Sequence, residues 1–446
     1  MAGDRAKELQ NIGLASLGGT LEYFDFQVYV FVAAALGAEL FPPGDSMWKT
    51  QVQTFGIFAI GYLVRPIAGM IIAHYADRIG RKKLFVFTVL LMSGPTCLMG
   101  LLPTYAQVGW LAPAGLLLLR ILQGCAVGGE LPGAAVFICE HATPRRLGLA
   151  SGLFIGMVNS GLLLGAAAAF AAKGIAGLDP TWASLTWRLP FIVGGLSGLI
   201  AAYLRRHLAE SPLFEETRAA NELSVAAPIA TVLRDYRRQC AFALTLLFVF
   251  STTPAIYFQW LPTYLIGIRH VPTDWVFLAN LCGVAAFVVS MPSWGMLREK
   301  ISWPRLLVIA GFLNAGSAAW FFTYLPTLAT SEIQLTLGVM LVGALCGVVH
   351  SVVPGLLCAL FPTPIRQSGF AFPYSVGTAL FSGLTPLVVA TLVRSYGLAT
   401  PMSQELLAGA LALILSGWLK LLPLHLGNRT EPEAAAARPT PAASTR

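Results

Sequence analysis

The chain has 446 residues, 56% hydrophobic and 11% charged, with a mean hydropathy of +0.71. A water-soluble globule dresses its surface with ~25% charged residues, so half that share excludes a soluble domain and leaves lipid as the medium for most of the exterior. The net charge of +8 would suit nucleic acid if gathered on one face, but it is parcelled into alternate joints between apolar runs, which excludes that partner.

A spanning helix needs ~20 mostly apolar residues. Runs of that kind predict spans at 12–40, 52–73, 84–102, 108–138, 149–172, 187–205, 239–266, 274–296, 305–325, 333–360, 367–393 and 403–424. Stretches such as "LTLLFVF" and "AGALALILSGWL" are continuously apolar, against the alternation of a spanning barrel strand. The fold expected is therefore an all-α integral membrane protein of twelve transmembrane helices. The first run carries Glu22 and Asp25, unlike the apolar stretch of a cleavable signal peptide.

Basic residues crowd alternate joints: Arg5 and Lys7, Arg78 to Lys83, Arg145 and Arg146, Arg205 to Arg238, Arg298 to Arg305, Arg366, then Lys420 and Arg429. The intervening joints hold little beyond Lys49, Lys173, Arg269 and Arg394. The positive-inside bias then sets both termini in the cytoplasm, which requires an even number of spans. A bacterial inner membrane is the expected location.

Two segment pairs repeat at nearly one spacing. "AHYADRIGRKKL" ends at Leu84 and "GMLREKISWPRL" at Leu306, 222 positions apart; "TPRRLG" starts at Thr143 and "TPIRQSG" at Thr363, 220 apart. Both pairs fall on one membrane side, so the repeat is parallel and predicts two similar bundles around a central cavity. The expected division is 1–205 for the first six-helix bundle, 206–238 for a cytoplasmic connector, 239–425 for the second bundle and 426–446 for an Ala/Pro/Ser/Thr-rich tail. The seven cysteines form no CxxC or CxxH pair, so they read as small apolar fillers; no metal or cofactor is expected.

An ionisable group in lipid costs roughly 2.5–3.5 kcal/mol on insertion scales and needs a reason. Arg65 lies twelve residues before Asp77, about 18 Å at ~1.5 Å per residue, near mid-membrane. Its fork either grips a substrate carboxylate or orders the second helix through an internal ion pair. Glu130 follows two glycines and precedes Pro132; it is a second proton carrier or satisfies backbone freed by the proline. His350, alone deep in a span, is a proton relay or a packing residue. Tyr257, Gln259, Tyr264 and Tyr374 either line the second half of the cavity, and so the substrate site, or pack.

"GGTLEYFDFQVYVF", "GYLVRPIAG", "ADRIGRKK", "LLLRILQGCAVGGELPGAAVFICEHATPRRLG", "WRLPFIVGGL" and "RRHLAESPLFEE" together resemble the metabolite:proton symporter branch of the major facilitator superfamily, which includes proline/betaine, shikimate, α-ketoglutarate and citrate permeases. The resemblance is specific over 18–214 and looser beyond, where "REKISWPR" is a degraded copy of the first-half loop. It implies that Arg120, with Gln123 three residues on, couples protons through a carboxylate of the first helix. Asp25 is the natural partner and Glu22 is expected on its face; a static salt bridge is the alternative. The resemblance also implies that Asp77, Arg78, Gly80 and Arg81 latch one state of the carrier, besides retaining their loop in the cytoplasm.

The function expected is proton-coupled uptake of a small carboxylate-bearing metabolite, most of all a di- or tricarboxylate such as citrate, by a monomer without enzymatic activity. Import is favoured because the fifth helix lacks the Gly-Pro pair of drug/proton antiporters. A betaine zwitterion would suit an arginine with carboxylates nearly as well. A metabolite sensor without flux and an efflux carrier are the alternatives.

Overall fold

In the structure, a computed structural model, residues 19–68, 81–126, 130–142, 146–178, 186–205, 228–362 and 365–425 are described. They are helical almost throughout. The segments at the twelve expected places are α1 (Gly19–Phe31, continued by Ala33–Leu40), α2 (Met47–Leu63), α3 (Arg81–Gly100), α4 (Leu111–Ala126), α5 (Leu147–Leu178), α6 (Leu189–Arg205), α7 (Arg237–Gly267), α8 (Thr273–Leu297), α9 (Trp303–Leu328), α10 (Glu332–Ala359), α11 (Arg366–Tyr396) and α12 (Ala399–Leu419). Among the described residues, eight are each long and apolar enough to cross a membrane, and the bent α1 pair would be a ninth. Large apolar side chains such as Leu111, Val289, Phe312 and Ile333 point outward, as lipid contact requires.

Two of the boundaries that differ from the expected spans have local reasons. α2 begins five residues before the expected start, because the Ser46 hydroxyl caps it by accepting from the Lys49 amide. α12 begins at Ala399, since Pro401 sits in a first turn whose amides lack helical partners anyway. The expected connector and tail fall largely outside the described residues; within the connector, Pro228–Asp235 is a short helix.

The packing obeys the repeat. Moving each helix number on by six turns α3 against α6 into α9 against α12, α2 against α4 into α8 against α10, and α3 against α4 into α9 against α10; all six contacts exist. The contacts between halves obey it too: α5 packs on α8, and α11 on α2. Even the irregularities correspond. α1 bends by 58° between Phe31 and Ala33, and α7 widens into a π stretch at Ala255–Trp260, close to where the 222-residue spacing carries that bend. A second π stretch, Thr378–Ser382, interrupts α11.

The halves touch most closely near Arg146 and Arg298, the basic end of the bundle. There the Gly148 and Gly295 backbones meet, and a Cβ on Gly148 would stand 2.4 Å from the Gly295 carbonyl oxygen. Only residues without side chains permit that approach. At the opposite end the contact is made by a side chain, the Gln51 amide donating to the Thr263 carbonyl at 3.2 Å.

Candidate functional site

Two adjoining cavities lie between the halves. The larger, ≈ 500 Å³ of atom-free space counting the part open to solvent, lies between Gly19, Glu22, Tyr23 and Phe26 of α1, Arg65, Leu131 and Pro132, and Tyr374, Ser375 and Thr378 of α11. The other shares Tyr23, Arg65, Tyr374 and Thr378 and adds Tyr62, Asn159 of α5, Phe250 of α7 and Ser382, with Ile155 and Val158. The spacings explain the lining: 19, 22, 23 and 26 form one face of α1, while 374, 378 and 382 form one face of α11.

Arg65 is shared by both cavities and is 8% exposed. Its guanidinium carbon stands 3.8 Å from the Phe26 ring centre and 4.0 Å from that of Tyr62. Arg120 is 0% exposed and lies one aromatic layer behind, 3.8 Å from the same Phe26 ring and 4.6 Å from Tyr29. Among the described residues, neither guanidinium is within ion-pair reach of a carboxylate, and the Arg65 Nε has no hydrogen-bond partner. Two cations held on π faces rather than by counter-ions make this wall positive and leave the Arg65 fork for an anion in the cavity.

The direct Asp25–Arg120 pair expected from the sequence is absent. Arg120 donates to the Phe26 carbonyl at 3.1 Å and to the Gln123 side-chain oxygen. The Gln123 amide nitrogen donates to the Asp25 backbone oxygen at 2.7 Å and to the Thr96 hydroxyl at 2.8 Å. With both ends of its amide engaged, Gln123 braces α1, α3 and α4 and lines neither cavity. The Asp25 carboxylate instead points between α3 and α6, accepting from the Ser93 hydroxyl at 3.3 Å. Room exists there because α6 carries glycines: a Cβ on Gly194 or Gly198 would each lie 2.9 Å from an Asp25 oxygen. Glu22 therefore does not share Asp25's surroundings; it lines the cavity.

Of the other candidates, Tyr374 lines both cavities. Tyr257 packs between Phe321 and Phe322 of α9, 5.4 Å from each; it faces the interior of the second bundle. Gln259 is buried in the α7 π stretch and lines neither cavity, and Tyr264 stacks on Trp260 at 4.7 Å. His350 is sandwiched between Phe250 at 4.2 Å and Phe287 at 4.6 Å, one ring behind the cavity wall. Glu130 begins the helix Glu130–His141 and Arg81 begins α3; Asp77, Arg78 and Gly80, like the side chains of Glu130 and Arg81, lie outside the described residues.

Several lining residues escape a search for charges: Tyr23, Tyr62, Asn159, Phe250, Thr378 and Ser382. Only Thr378 and Ser382 carry a sequence signal, the four-residue spacing of small polar groups along α11. Glu405 of α12 was likewise not anticipated. It is 0% exposed and accepts from the Thr253 hydroxyl at 3.0 Å and the Asn314 amide at 3.1 Å.

Residues 15–331 match the family profile described as Major Facilitator Superfamily. A putative proline/betaine transporter of Staphylococcus aureus (strain COL) is 30% identical over 95% of this chain and 89% of its own length. The glycine betaine/proline/ectoine/pipecolic acid transporter OusA of Dickeya dadantii is 31% identical over 86% and 77%. Among solved structures, the proton:xylose symporter XylE bound to 6-bromo-6-deoxy-D-glucose superposes with a TM-score of 0.73, covering 94% of this chain and 97% of that one at 17% identity. The inward-open xylose transporter XylE from E. coli gives 0.65 over 96% and 99%, also at 17% identity.

Proposed function

The chain belongs to the Major Facilitator Superfamily, a family of multi-pass membrane transporters, and we propose that it imports a small zwitterionic solute of the proline or betaine kind together with protons. The observation that carries this reading is Arg65, a cavity-lining guanidinium held on Phe26 and Tyr62 with no carboxylate in ion-pair reach among the described residues. The solute carboxylate docks on its fork. The cationic end of the same solute then has the Tyr23, Phe250 and Tyr374 rings to rest against, an environment suited to a substituted ammonium. The names of the relatives point the same way.

The expectation of citrate finds no support. A tricarboxylate brings three negative charges, whereas among the described residues the cavity is lined by one guanidinium, Arg65, and by the carboxylate of Glu22. A zwitterion brings one charge of each sign.

Alternating access by rocking of the halves, with both termini cytoplasmic in a bacterial inner membrane, completes the reading. The proton step is assigned to Asp25, which acts on the arginine wall through the α1 backbone and Gln123 rather than by direct pairing. Asp25→Asn is then expected to lose uphill, proton-driven uptake while keeping solute counterflow; loss of both would assign Asp25 to folding or binding instead. The reading as a whole is tested by uptake into proteoliposomes under an imposed pH gradient, with proline, glycine betaine, citrate and α-ketoglutarate offered in turn. Uncoupler-sensitive uptake of a zwitterion alone is the expected result. Uptake of citrate alone, or binding without flux, would overturn it.

A further inference from the structure

Each half of the molecule buries one carboxylate in the triangle formed by its first, third and sixth helices. In the first half this is Asp25, in the triangle of α1, α3 and α6, with Ser93 of α3 donating to it. In the second half it is Glu405, between α7, α9 and α12, accepting from Thr253 of α7 and Asn314 of α9 on the same oxygen. Ser93 and Asn314 are 221 positions apart, within one residue of the repeat spacing, so the donor on the third helix is matched. The acid has moved from the first helix of the triangle to the last.

Glu405 is 0% exposed, and its second oxygen, Oε1, has no hydrogen-bond partner among the described residues. The groups that reach it from packed elements are neutral: Thr253 and Asn314, and two titratable ones, Tyr257 of α7 and Cys346 of α10. Burying an ionised carboxylate without a cation is costly, so a site of this kind favours a group that can take up a proton.

We propose that Glu405 is a second proton-binding site of the carrier, the counterpart in the second half of Asp25. The proposal rests on the reading of this chain as a proton-coupled importer, and predicts that Glu405 gives up and regains its proton during the transport cycle.

Glu405→Gln provides the test, because its amide oxygen can still accept from Thr253 and Asn314 while the proton can no longer leave. In reconstituted wild-type protein, proton and proline fluxes are measured together, and the infrared difference spectrum is recorded on addition of proline. Glu405→Gln is expected to lower the ratio of protons to solute by one and to remove one protonated-carboxyl band from the difference spectrum. Thr253→Val, which leaves the acid in place but deletes one donor, is expected to shift that band and the pH midpoint of uptake. Wild-type protein that moves solute without protons would sink the symport reading. Wild-type symport with an unchanged ratio, spectrum and pH profile in both variants would overturn the Glu405 assignment alone.

Discussion

Arg65→Ala should reduce uptake of the zwitterion at low concentration by about 10- to 100-fold, the equivalent of the roughly 1.5–3 kcal/mol that a hydrogen bond to a charged group contributes. The loss should appear mainly as a raised KM, since the fork grips the solute before any movement. Arg65→Lys keeps the charge but offers a compact ammonium in place of the planar fork, and is expected to fall between the two. It also loses stacking on Phe26 and Tyr62, which hold the guanidinium carbon at 3.8 and 4.0 Å. A binding assay that uses no gradient, such as solute-induced thermal stabilisation of purified protein, separates affinity from coupling. Wild-type affinity in Arg65→Ala would remove the carboxylate from this site altogether.

The fold was legible in the sequence because lipid imposes a simple rule: every spanning backbone group must be bonded within its own helix, so length and apolar content reveal the segments. The repeat was legible because two loop motifs kept their spacing, and the matched packing of α5 on α8 and α11 on α2 follows from it. The bend in α1 was not, since neither proline nor glycine stands between Val28 and Ala33. At the site, charge drew attention to Arg65, Glu22 and Asp25, but sequence spacing says nothing of which side of a helix a neighbouring glycine has opened. Gly194 and Gly198 decide where the Asp25 carboxylate goes, and they lie in another helix about 170 residues away. Glu405 stands in the first turns of α12, where sequence position alone does not separate an interfacial acid from a buried one. Its burial is a product of the packing of three helices far apart in the chain.

Gly148→Val should block the movement rather than the binding. A Cβ at Gly148 would stand 2.4 Å from the Gly295 oxygen and 2.5 Å from the Arg298 Cβ, at Gly152 2.6 Å from the Met291 oxygen, and at Gly156 3.3 Å from the Val288 oxygen. The backbones of α5 and α8 thus diverge from the basic end inward, and a side chain at 148 wedges them where they are closest. Closure at that end becomes unfavourable, and the carrier is held open there. We expect uptake to fall at least about tenfold, as a bias of roughly 1.4 kcal/mol against one state would produce, with Gly156→Val much milder. Cys139, whose thiol reaches the Pro354 carbonyl of α10 at 3.8 Å, reports the same event. In a background without the other cysteines, its labelling by a maleimide applied from the basic side should rise in Gly148→Val and stay near the wild-type level in Gly156→Val. Among the described residues, backbone meets backbone at one end, whereas at the other the side chains of Met47 and Gln51 make the contact, so the two ends should differ in sensitivity. Gln51→Ala, which removes one bond and adds no bulk, should change uptake far less than one methyl-bearing side chain at position 148. Equal labelling and equal uptake in the two glycine variants would mean that α5 and α8 do not part during transport.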